Sequence, residues 1–177
     1  RQPNNDWPWH PYTATERAIN ILDFAGRHGW PGLVDDTLNL LAAHGPAIAE
    51  QLEYFGDHHT SNHMANNGRG LFRLGLALGI EAYADIGARI LLEEAERIFH
   101  SSGILREGSS HYHLLLTRNY ADAWLAAKRH NRAEATLAPG FMPLYIDLAP
   151  RLVFAEHFQQ WWDAQDTYKV LKTLEDV

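Results

Sequence analysis

The chain has 177 residues, a formal net charge of -7 with its 11 histidines taken as neutral, and no cysteine. That length suffices for one ordinary domain with its own core, needing neither disulfide nor metal to fold, and the missing cysteines exclude disulfide frameworks, thiolate metal sites and cysteine nucleophiles. The acidic balance argues against nucleic acid as a partner, since phosphate contacts normally leave a basic surplus, and the absence of any apolar run near ~20 residues argues against a membrane partner.

The chain opens at Arg1 without the basic and apolar regions of a signal peptide, which suggests a processed end. An arm reading DWPWHPY comes first, with Trp7, Trp9 and Tyr12 placed to pin it by burying their rings or, less in keeping with its prolines, to face a cleft as flat binding platforms. Thr13 and Glu16 then form a capping-box pattern, in which each side chain satisfies an orphan amide at a helix start. The first helix follows, with Ala18, Ile21, Leu22 and Ala25 on one face and a stop at Gly29. A second helix is predicted over 33–43, interrupted at Gly45-Pro46 and resumed as far as Phe55. Further helices are predicted over 62–78, 81–99 and 109–129. Their short connections imply antiparallel neighbours. Over 131–150 proline and glycine accumulate and periodicity fades, and a last helix is predicted over 154–174. The expected architecture is all-α: one helical domain over 1–177, built of antiparallel hairpins.

Two stretches concentrate polar chemistry. DHHTSNHMANNGRG, before the third helix, holds three histidines and three asparagines in 14 residues. Thr60 or Ser61 suits its cap, Gly56 and Asp57 its turn. His59 and His63 stand four apart with Asp57 or His58 as a possible third metal ligand, but no Glu lies inside the pair as in a zincin and a turn intervenes, so no metal is expected. LREGSSHYH, before the fifth helix, offers Ser109 or Ser110 as a cap. In an array of antiparallel hairpins the third and fifth helices start on one side of the layer, which predicts that Asn62, His63 and Tyr112 converge.

These residues carry a family resemblance. The chain resembles the helical domain of heparinase II/III-type polysaccharide lyases and the related alginate and oligo-alginate lyases. Asn62-His63 followed by GRGLFRLGLALG is similar to their Asn-His helix opening; Glu107, Ser109, Tyr112 and His113 are similar to a Glu-x-Ser-x-x-Tyr-His element one hairpin later. WHPYTATERAINIL, with Trp9, Arg17 and Asn20, resembles their first toroid helices, and the likeness covers residues 9–128 in order.

The resemblance implies an incomplete α/α toroid and β-elimination on a uronate-containing polysaccharide or oligosaccharide, without cofactor, in the periplasm or outside the cell. Removing the C5 proton beside a charged carboxylate builds a second negative charge there; neutral donors facing the carboxylate spread it. Asn62 takes that role, with His63 as second donor or orienter. Tyr112 removes the proton, returns it to the leaving oxygen, or both, and needs surroundings that favour phenolate; Arg69, Arg73, Arg106, His58, His59, His111 and His113 are the candidates. Substrate contacts are expected from Trp9, Arg17, Asn20, His58, His59, Arg69, Arg73, Glu107 and His113. The family's following β-sandwich has no counterpart in the sequence, so the chain is expected to be part of a longer lyase, with that domain as a partner. Trp124, Trp161 and Trp162 are expected in the core or at an exposed interface with that missing domain. A different class remains open: a noncatalytic glycan-binding or helical scaffold module, for which Asn62, His63 and Tyr112 need share no cleft.

Overall fold

The structure, a computed structural model, describes residues 7–56, 62–100 and 103–137. They are helical, with no strand among them, and they fall in two compact units, Arg1–Arg97 and Ile98–Val177. The helix expected over 154–174, the caps Thr60 and Ser61, and Trp161 and Trp162 lie outside the described residues.

In the first unit a 3-10 turn, Trp7–Trp9, leads into α1, Pro11–His28. The capping box at Thr13 is not used: α1 begins two residues earlier, because Pro11 occupies its first turn and His10 is the N-cap without a side-chain bond. Proline suits this place, lacking only an N–H that has no helical partner there. Ala14, Thr15, Ala18, Ile19 and Leu22 form its buried stripe, with Ile21 packed at the edge. The helix ends as expected at Gly29, whose φ of 85° is left-handed and whose N–H returns to the Ala25 carbonyl at 3.0 Å.

α2, Val34–Ala49, runs straight through Gly45-Pro46 and stops well before Phe55. Pro46 has no N–H for the carbonyl one turn back, so one bond is lost. The turn around it is held by packing: Gly45 lies under the Tyr83 ring, and Ala47 and Ile48 are buried.

α3, Asn62–Leu78, and α4, Glu81–Ile98, match the predicted helices to within a residue. They pack antiparallel through small residues: a Cβ on Gly68 would meet Ile90, one on Gly75 would meet Ala84, and one on Gly87 would meet the backbone of Phe72. α1 and α3 are parallel, since contacts climb both together, from Tyr12 with His63 through Glu16 with Arg69 to Asp23 with Arg73. The core joins Ala14, Ala18, Leu41, Ile48, Leu71, Leu74 and Ile90. Truncating a fully buried leucine such as Leu74 to alanine costs about 2–5 kcal/mol.

In the second unit a single antiparallel bridge, Phe99 with Leu105, closes a turn before α5, Ser110–Arg129. Ser109 is the cap, its Oγ accepting the Tyr112 N–H at 3.3 Å. Leu114, Leu116, Ala121, Ala123 and Ala127 form the buried side of α5. A short turn of helix, α6, Glu134–Leu137, is joined to it by the Trp124 indole N–H, which donates to the Ala135 carbonyl at 3.3 Å.

Candidate functional site

Asn62 and His63 open α3 and are partly buried. Around His63 the first unit assembles a polar cluster from three segments. Glu53, on the stretch after α2, accepts from His63 Nδ1 at 2.7 Å. Its other oxygen accepts from Asn67 Nδ2 at 3.4 Å, and His10 Nε2 stands 3.6 Å from the first. The Tyr12 ring lies against His63 at 4.7 Å between centroids. A carboxylate can only accept, so the His63 proton on this edge sits on Nδ1.

A second polar chain runs from the arm into the core. The Arg17 guanidinium covers the Trp9 ring at 4.8 Å and its Nε–H donates to His44 Nε2 at 2.9 Å; His44 Nδ1 donates to the Leu40 carbonyl at 2.7 Å. Both ring nitrogens are therefore assigned, and fully buried His44 is neutral. Burial is the main force holding it below the usual histidine range; the Arg17 charge pushes the same way and the Leu40 bond opposes.

The exposed side of α1 forms a concave surface of about 550 Å³ lined by Thr13, Glu16, Arg17, Asn20, Phe24 and Pro31. It brings together two of the residues expected to touch substrate, Arg17 and Asn20. Trp9 is half-buried beneath Arg17, whereas Trp7 is 78% exposed, so the arm is pinned by one tryptophan and presents the other.

Several expected ligand contacts are placed differently. Arg69 is buried, donating to Glu16 at 3.1 Å and to Asn66 at 3.3 Å; Arg73 is paired with Asp23 at 2.7 Å. Both guanidiniums fasten α3 to α1. His58 and His59 lie outside the described residues.

In the second unit Tyr112 is 40% exposed, its ring edge-on to His111 at 5.4 Å, and Glu107 is exposed in the turn before it. Arg106 points instead to His100 at 3.4 Å. His113 is not a surface ligand: it is buried, its Nδ1 accepts the Leu105 N–H at 3.3 Å, and burial holds it below the ordinary histidine range. It locks the turn onto α5.

Glu53, His10, His44 and Asn67 were not legible as partners. Their spacings in the chain are set by the packing of three segments, and only the regular Asn66-Asn67 doublet on the buried side of α3 hinted at an internal polar network. Among the described residues no group of His, Asp and Glu is arranged to hold a metal ion, and no helix is long and apolar enough to cross a membrane. Comparison with family models, curated proteins and solved structures found no match.

Proposed function

We propose that this chain is the α/α-toroid part of a polysaccharide lyase that cleaves a uronate-containing glycan by β-elimination. Asn62 and His63 serve the uronate carboxylate, and Tyr112 acts as the proton-transferring base and acid. The observation that carries the reading is the setting of the Asn62-His63 pair, a helix opening whose histidine is held by a carboxylate and an aromatic ring; the same unit also has a groove offering the Arg17 cation, the Asn20 amide and the exposed Phe24 ring to an acidic sugar. The parallel α1 and α3 and the antiparallel α3 and α4 support a toroid of hairpins. Tyr112 in the first turn of a Ser-capped helix supports the second half of the family-like pattern.

Chemically, Asn62 lowers the barrier by donating to a carboxylate whose charge grows as the C5 proton leaves. The C4–O4 bond then breaks as the C4=C5 double bond forms, and the leaving oxygen takes a proton. The test is a panel of heparan sulfate, hyaluronan, alginate and bacterial exopolysaccharides, read by ultraviolet absorbance of the unsaturated product. Absorbance growth on at least one uronate polymer is expected. Saturable binding with no unsaturated product from any of them would favour a glycan-binding module.

A further inference from the structure

Resting on the lyase reading, we propose that Glu53 is a positioning residue for His63, holding the Nδ1 proton so that Nε2 is the ring nitrogen turned to the sugar. Glu53 lies after α2, and its side chain is only 11% exposed. A carboxylate so withdrawn from water requires donors, and its described partners are His63, His10 and Asn67. The bond to His63, at 2.7 Å, is in the short range of charge-assisted contacts.

Two features distinguish this from a casual surface pair. First, α3 contributes both grips, His63 and Asn67, one turn apart on one face, so the carboxylate is held by both oxygens. Second, the Tyr12 ring packs on the imidazole at 4.7 Å and opposes its rotation. Among the described residues Glu53 and Tyr12 face the imidazole, with His10 sharing the Glu53 oxygen. Although its Nδ1 is engaged by Glu53, the His63 side chain keeps 44% of its surface exposed, so the ring held in this way is still open to solvent. With the neutral ring oriented this way, Nε2 accepts a hydrogen bond; when the ring is doubly protonated, Nε2 donates, with Glu53 as its counter-charge.

The inference predicts a tautomer, which nitrogen NMR of the 177-residue chain reads directly. Well above the imidazole titration range, the neutral His63 ring is expected to carry its proton on Nδ1, the reverse of the form free histidine prefers in water. Glu53→Leu, which keeps the volume and removes the acceptor, is expected to return the proton to Nε2; Glu53→Gln, which keeps an acceptor, is expected to leave it on Nδ1. If Glu53→Leu does not fold, Glu53→Ala replaces it. A wild-type ring protonated on Nε2, or a ring unchanged in Glu53→Leu, overturns the inference. On any uronate glycan the chain cleaves, Glu53→Leu is expected to lower kcat on the order of 10²-fold or more, as loss of an orienting carboxylate behind a working histidine does, with KM little changed. Wild-type kcat despite a switched tautomer would also overturn it. If no glycan is cleaved, the lyase reading fails separately, while the spectra still decide whether Glu53 holds His63.

Discussion

His44 shows how a residue's surroundings settle its chemistry. With Nδ1 spent on Leu40 and Nε2 receiving the Arg17 N–H, protonation would set a proton against a donor and a charge beside a guanidinium. His113, which uses Nδ1 as an acceptor for Leu105, is likewise held below its ordinary value. Both therefore bind protons more readily in the unfolded chain. Their contribution to stability is fully present above the unfolded value of about 6.5 and is lost as pH falls from there through the lower folded values. The melting temperature is expected to drop between about pH 8 and about pH 5, and His44→Gln, whatever its stability at the upper end, to show a shallower drop. Parallel pH curves for the two proteins would remove His44 from the account. At the proposed reaction centre, Tyr112→Phe deletes one exposed phenolic oxygen, so it should abolish elimination while leaving melting temperature and glycan affinity nearly unchanged. Asn62→Ala should cut turnover by about 10²- to 10³-fold, the scale of losing one donor to a developing oxyanion. Wild-type turnover in Tyr112→Phe would end its proton-transfer role.

At the scale of elements, the α3–α4 contact rests on the absence of side chains. Gly87 sits so close to α3 that a Cβ would strike the backbone of Phe72 and the Gly68 carbonyl, and backbone cannot step aside as a flexible side chain can. By helix propensity alone Gly→Ala gains about 1 kcal/mol; here the overlap should reverse the sign, and Gly87→Ala is expected to destabilise by about 1–3 kcal/mol. Gly26, also inside a helix, has nothing within 4 Å of where a Cβ would stand, so Gly26→Ala should stabilise by about 0.5–1 kcal/mol. Urea unfolding of the two variants gives the comparison, and the same sign for both would mean that close approach does not control this helix pair.

For the whole molecule, the net charge of -7 repels an anionic polymer at long range, so affinity must come from local cations such as Arg17 at the α1 groove. Contacts of this kind weaken as the screening length shrinks from ~10 Å at 0.1 M salt to ~3 Å at 1 M. Binding of a uronate oligosaccharide, followed by calorimetry, is expected to weaken steadily with added salt and to weaken further in Arg17→Gln. Salt-independent binding would point to ring stacking on the aromatic arm instead.

Helical periodicity, the Gly29 stop and the Ser109 cap were legible in the sequence because they are decided within one or two turns of chain, where propensity and capping act. The start of α1 at Pro11 and the passage of α2 through Pro46 were misread, since local signals there compete and packing breaks the tie: the turn around Pro46 is held against Tyr83 from another helix. The roles of the charged residues were decided later still. Arg69 and Arg73 look alike on a sequence and could equally face a ligand or a neighbour; the parallel approach of α1 put Glu16 and Asp23 within reach. Glu53 carries no local mark, being 10 residues from His63 in a stretch without regular structure. Patterns spanning a turn can be read from the chain alone, whereas which distant donor meets which acceptor depends on helix packing, and only the tertiary structure decided it.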